Sequence, residues 1–334
     1  MPPAVKPDSL PSWHSQAPAN TMILGEHSVV YGHPALACAV NQFVKITWHA
    51  RADNALNIYS ALGQHHTQID AISLHPKLNF AVAALQAFQY QLPHGLDIHI
   101  ESEFSSTIGL GSSAAVLAAM LSGLNTICQT KHELIALFTI GHKIIIDIQG
   151  RGSGTDLAAS LSGGAIYFQP KNETHKHPVI KKITVELPIQ LFYCGYKTPT
   201  AVVLQQVAEA WQNKPAELSM LYRAMAKTTR TGFEALQNNT FSDFYQACKK
   251  YQQLMTELGV NDSTLQTIID LLTSCPSIDA AKISGSGLGD CVLAIGVLDN
   301  CSTETSNRLN NYQQISVNIC EKGAFTLCDS NYQA

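Results

Sequence analysis

Four short segments carry the residue types with which a protein could handle a phosphate or a hydroxyl. The first is Gly109-Leu110-Gly111-Ser112-Ser113-Ala114-Ala115, which follows a strand-like run and opens a helix-like one. Glycines let the backbone approach a ligand, and the free N–H groups and positive dipole end of a helix start attract phosphate oxygens. A serine hydroxyl there can also ligate magnesium. The alternative is a close-packed turn whose serine caps the helix. The second segment is Gly150-Arg151-Gly152-Ser153-Gly154-Thr155-Asp156, which holds a carboxylate at the end of a glycine-rich loop. That acid could accept or orient a substrate hydroxyl proton during in-line phosphoryl transfer, or cap the next helix. The third is Lys282-Ile283-Ser284-Gly285-Ser286-Gly287-Leu288-Gly289-Asp290-Cys291, whose alternating glycines also suit a hairpin or a β-bulge. The fourth sets Gly25-Glu26-His27 close to Tyr31-Gly32-His33-Pro34, placing an acid and imidazoles between strand fragments.

The elements that must position these segments read as a mixture of strands and helices. Residues 22–48 are short apolar runs broken at Gly25, Gly32 and Pro34, which predicts strands and tight turns. Residues 77–92 show helical spacing, and the following GLDIHIESEF alternates as a half-buried strand does. Helices are predicted for the small-residue run after the first segment and for 132–148, then a strand ending at Pro170. The polar, turn-rich stretch 170–178 marks the expected boundary between a domain over 1–175 and one over 176–334. Beyond it come strand material in ITVELPIQLFYCGYK, long helical patterns across 202–257, and strands flanking the third segment and closing the chain.

Composition excludes several classes. The chain has 334 residues, a net charge of −4 and 46% hydrophobic positions, which is globular and lacks the basic surplus of a nucleic-acid binder. Nine scattered cysteines, never paired as C-x-x-C, argue against a disulfide framework or a zinc knuckle and for a reducing cytoplasm. The N-terminal stretch is polar and Pro-rich, and no apolar run reaches the roughly 18 residues of a membrane span. Gly109–Ala114 also satisfies the loose dinucleotide pattern, but it lies deep in the chain, and the acid about 20 positions on is at best Glu133. There is no Gly-Lys dipeptide for a P-loop and no HRD or DFG triplet of a protein kinase.

Taken in order, APANTMILGEHSVVYGHPALACAV, TIGLGSSAA, GSGTD and KISGSGLGDC resemble the motifs of the GHMP kinases, from about residue 17 to 292. Within that superfamily GEHSVVYGHPALA is most similar to the mevalonate kinases. The resemblance implies an α+β fold, with an N-terminal ribosomal-protein-S5-like domain, a C-terminal ferredoxin-like domain, and ATP and acceptor in the cleft between them. By position, Gly109, Leu110, Gly111, Ser112, Ser113 and Ala114 would cradle the ATP phosphates and Ser113 would ligate Mg²⁺. Asp156 would be the catalytic carboxylate; Glu26 and His27 would contact the acceptor; Gly285, Ser286 and Gly287 would brace the loop and the substrate. The implied reaction moves the γ-phosphoryl group of ATP to the C5 hydroxyl of mevalonate.

The pattern departs at three places. Asn20 stands in APAN where the family writes a lysine, so the catalytic position carries a neutral amide. The magnesium glutamate of the mevalonate kinases falls on Ile145, leaving Asp147 as the nearest carboxylate. Ser105 occupies the place of the usual proline before the loop. The SGSGLGDC and GSGTDLAAS forms point toward phosphomevalonate kinase, whose charged acceptor would call on Arg151, Lys197 or Lys282. Asn20 and Ile145 also motivate a third reading, a non-catalytic ligand sensor on the kinase fold. All three readings have a small-molecule ligand and no nucleic-acid or membrane partner, and a homodimer is compatible with each.

Overall fold

The computed structural model describes residues 10–329. The chain opens with β1 (Ser12–Leu24), a single 3-10 turn over Ser28–Tyr31, and β2 (Ala35–Ala50). There follow the hairpin β3 (Ala55–Ser60) and β4 (Gly63–Gln68), then α1 (Asn79–Ala87), β5 (Leu96–Ser102), α2 (Ser112–Ile127), α3 (Leu134–Gln149), α4 (Thr155–Ser162), β6 (Ala165–Gln169) and β7 (Val179–Ile183). The remainder is β8 (Ile189–Tyr193), α5 (Thr200–Ala210), α6 (Pro215–Gln237), α7 (Phe241–Leu258), α8 (Ser263–Thr273), β9 (Ile278–Ser284), β10 (Cys291–Gly296), α9 (Thr303–Leu309), β11 (Gln313–Ser316) and β12 (Phe325–Cys328).

Two sheets organise these elements. The first runs β12-β1-β2-β5-β3-β4, with β6 and β7 continuing from β2, and only β3 and β5 pair in parallel. Burial along β1 alternates at first and then becomes continuous, because its second half is covered on both faces. The helix α2 packs against that half. Its small residues allow a close approach: a side chain at Gly123 would collide with the Trp48 indole, whose N–H donates to Ser15 Oγ at 2.8 Å. The second sheet, β11-β8-β10-β9, is antiparallel throughout. Its chain order of strand, helices, two strands, helix and strand is the ferredoxin-like arrangement, and the amphipathic α6 and α7 form the long pair inserted before β9.

Two expectations meet a different outcome. The division at 175/176 falls inside the first sheet, since β7 pairs with β6 beyond it and β12 returns to β1. The second sheet starts only at β8. Cys275 and Cys301 form a disulfide across 26 residues, joining the end of α8 to the approach to α9, whereas the spacing argues for free thiols. Nothing local in the sequence signals this pair, because the fold alone brings two loop ends together. Among the described residues the other cysteines are free, and no helix is long and apolar enough to cross a membrane. The start of the polar N-terminal stretch, residues 1–9, lies outside the described residues.

Candidate active site

A cleft of about 600 Å³ lies between the halves of the molecule, and the four segments converge on it. At one wall α2 begins without a side-chain cap: its N-cap is Gly111, in a left-handed conformation at φ 64°. The Ser112 and Ser113 hydroxyls are therefore not consumed by capping, and the first-turn N–H groups face the cleft, whose lining includes Ser112, Ser113 and Ala114. An uncapped, positively polarised helix start of this kind favours anions. Gly111 cannot be replaced without a clash, because a Cβ there would enter the Asn20 amide. Asn20 comes from β1 between two register shifts against β2, where bulging re-aims the strand toward α2. It is 1% exposed, its backbone N–H donates to the Leu110 carbonyl at 3.2 Å, and its Nδ2 donates to Ser160 Oγ at 3.0 Å.

Carboxylates gather at the other end. Asp156 sits in the first turn of α4, whose N-cap is Gly154, so it does not serve as the cap and instead lines the cleft. Desolvation, Asp290 and Glu26 push its carboxyl above the ordinary value, while Lys197 opposes them. Its side chain is nevertheless open to solvent in the cleft. The upward push is therefore weak in the open state and gains force when a ligand expels the water. Asp290 is pushed up by burial and held back by Lys197, whose Nζ lies 3.6 Å from its Oδ1.

Glu26 and His27 follow β1 and reach the second half of the molecule. Lys282, on β9, donates to Glu26 Oε1 at 2.5 Å in a wholly buried ion pair. His27 bonds the Ser286 carbonyl through Nε2 at 2.7 Å, so that nitrogen carries the proton and Nδ1 is left as an acceptor. Burial lowers the His27 pKa and keeps the ring neutral. Four buried polar atoms here have no hydrogen-bond partner: Glu26 Oε2, His27 Nδ1, Ser286 Oγ and Asp290 Oδ1. All four residues line the cleft. Unsatisfied buried groups are costly, so a set that opens on one cavity marks a place where a polar ligand completes them.

Of the residues assigned by position to the ATP, acceptor, catalytic and metal sites, most meet at this cleft, and Leu110, Gly287 and Asp147 do not. Leu110 is buried in the core and contributes only its carbonyl, to Asn20. Gly287 lies outside the cleft lining, where a side chain would strike the Val260 carbonyl. Asp147 is exposed and paired with Lys143 at 2.8 Å on the outer face of α3. Ile145 and Gln149 face the cleft, and a residue midway between them on a helix points away. The loop is braced by Asp290, which crowds Gly109, and by the Cys291 thiol on the Ile108 carbonyl. Ser160, which orients Asn20, was not signalled, since the two are 140 residues apart.

Among the described residues no group of three His, Cys, Asp or Glu side chains could hold a metal ion. The donors at hand, the Ser113 hydroxyl and the cleft carboxylates, fit a magnesium ion that arrives on a nucleotide better than a resident one.

Family models for the N-terminal and C-terminal domains of GHMP kinases match residues 79–164 and 233–307. The mevalonate kinase of Archaeoglobus fulgidus is 28% identical over 84% of this chain and 91% of its own length. That of Methanothermobacter thermautotrophicus is 25% identical over 84% and 89%. The solved structure of Methanococcus jannaschii mevalonate kinase shares the fold, with a TM-score of 0.75 at 20% identity over 92% of this chain and 98% of that one. With both halves of the fold and the converging loops accounted for, the chain is similar to the GHMP kinases in both its N-terminal and its C-terminal domain.

Proposed function

We propose that this chain is an ATP-dependent kinase that transfers the γ-phosphoryl group to the C5 hydroxyl of mevalonate. The observation that carries the reading is that the uncapped start of α2 and the Asp156 carboxylate open into one cleft. The mevalonate kinase relatives, matched over most of their length, supply the acceptor. In this reading the N–H groups of Ser112, Ser113 and Ala114 hold the phosphates of ATP, and Ser113 Oγ completes the coordination of its Mg²⁺. An ion held there would supply positive charge against the charge developing on the phosphoryl oxygens. Asp156 orients the attacking hydroxyl and takes its proton. Glu26 Oε2 and His27 Nδ1 accept hydrogen bonds from acceptor hydroxyls, and Ser286 Oγ donates one. Phosphoryl transfer asks little covalent chemistry of a protein, so positioning and charge at these atoms account for the rate. The same reading carries a cytoplasmic location.

A phosphorylated acceptor is the competing reading, favoured by Arg151 and Lys197 on the cleft wall. Coupled ADP release across mevalonate, phosphomevalonate, homoserine and galactose separates them. Mevalonate should give the highest kcat/KM by at least about tenfold, a difference of ~1.4 kcal/mol in transition-state binding. A preference for any other acceptor overturns the assignment.

A further inference from the structure

Few cations line the cleft. Of its carboxylates, Glu26 is already paired with Lys282, which leaves Asp156 and Asp290 facing Arg151 and Lys197. The internal cation Lys282 is not in the lining, since its charge is spent on Glu26. The Arg151 guanidinium donates to the Ala201 carbonyl at the cleft mouth. Asn20, where the resemblance calls for a lysine, reaches the cleft lining but is 1% exposed, packed against Gly111 and committed to Ser160. No cation can come from that position.

Lys197 has the remaining attributes. It precedes α5 on the wall formed by the second half of the molecule, its side chain is about one-third exposed, and no hydrogen bond fixes its ammonium. Its segment is itself well anchored. Asp290 N–H donates to the Tyr196 carbonyl at 3.0 Å and Thr198 Oγ1 donates to the Leu288 carbonyl at 2.5 Å, so the lysine is delivered from a fixed base. It lies near Asp290, which in turn crowds the phosphate loop at Gly109. It is also the cation that opposes the upward push on Asp156, which puts it within electrostatic range of both acids.

We infer that Lys197 is the cation that meets the transferred phosphoryl group in this chain, supplying from the opposite wall the charge that Asn20 cannot. The inference rests on the phosphoryl-transfer reading above. A mobile ammonium beside the phosphate loop can leave Asp290 for the incoming phosphate oxygens, then follow them as charge shifts from the nucleotide to the acceptor. Charge that is stronger in the transition state than in the bound substrates raises kcat and leaves KM nearly alone.

The test is steady-state kinetics of Lys197→Met and Lys197→Arg with Mg·ATP and mevalonate, alongside thermal unfolding. The inference predicts that Lys197→Met lowers kcat about 100-fold with both KM values within about threefold, and that Lys197→Arg recovers at least a tenth of the wild-type kcat. It is overturned if Lys197→Met keeps kcat within about threefold, or if the loss falls on the mevalonate KM alone, which would mark a handle for the substrate carboxylate. If Lys197→Met does not fold, Lys197→Gln and Lys197→Arg are judged by the same criteria. A wild-type protein that releases no ADP with any acceptor would instead refute the phosphoryl-transfer reading.

Discussion

Asp156 is pulled in two directions by its neighbours. Burial and two nearby carboxylates favour its protonated form, and Lys197 favours the ionised form that a base must have. A carboxyl whose folded pKa is raised adds stability at acid pH that is fully present below the unfolded value of 3.8 and is lost as pH rises through the folded value. Because the side chain is open to solvent in the cleft, the ionised acid is only a small burden on the free folded state at neutral pH. Asp156→Asn should lower kcat by ~10²–10⁴-fold while nucleotide binding persists and the unfolding temperature stays level or rises. A calorimetric scan and a titration with a nucleotide analogue check both halves of that expectation. A ligand sensor would have no turnover to lose. Asn20 offers the converse case. It is 1% exposed and presses on Gly111, so Asn20→Lys has no room to place an ammonium. Its kcat should fall below that of the wild type, and a higher kcat would show that the position is still open to the family's lysine.

The loop after β1 and strand β9 are joined by the buried Lys282–Glu26 pair, reinforced by Thr21 Oγ1 and Ser284 Oγ at 2.8 Å and by Tyr251 OH donating to the Glu26 carbonyl at 2.8 Å. Removing one partner of a buried pair leaves an uncompensated charge. Lys282→Met should cost about 3–5 kcal/mol in denaturant unfolding, and Glu26→Gln combined with Lys282→Met should cost less than Lys282→Met alone. A double-variant loss equal to the sum of the two single-variant losses would show that the pair is not coupled. These joints explain what could be read from the sequence and what could not. The helix–strand order, the loop opening α2 and the acid at 156 follow from periodicity and glycine placement, which are local properties. Three features are not local: the ion pair across 256 residues, the Asn20–Ser160 bond across 140, and the Cys275–Cys301 link. Each is a consequence of which surfaces the sheets bring together. Asp147 stays out of the cleft for a subtler reason: two residues on from Ile145, it lies on the opposite face of α3 and pairs with Lys143.

As a whole the molecule is two sheets with a cleft between them, and the unpartnered atoms of Glu26, His27, Ser286 and Asp290 belong to residues that line that cleft. The disulfide lies away from the cleft, at the end of α8. Cys301→Ser should therefore lower the stability of oxidised protein by about 3 kcal/mol through the entropy of the opened loop, leave kcat unchanged, and match reduced wild type. Denaturant titration with and without reductant checks this, and a change in kcat would mean that the link reaches the active cleft. Binding should stabilise the folded state with the logarithm of ligand concentration, so Mg·ATP at about 100 times its Kd should add ~2.7 kcal/mol. A flat thermal-shift curve would count against the phosphate site at α2. The central claim is that this cleft moves a phosphoryl group from ATP to the C5 hydroxyl of mevalonate under the control of Asp156. Phosphorus NMR of protein incubated with Mg·ATP and mevalonate tests it most directly. The account predicts a new phosphomonoester signal growing in step with ADP, and neither signal with Asp156→Asn. Phosphate released to water, or an ester formed equally well by Asp156→Asn, would contradict it.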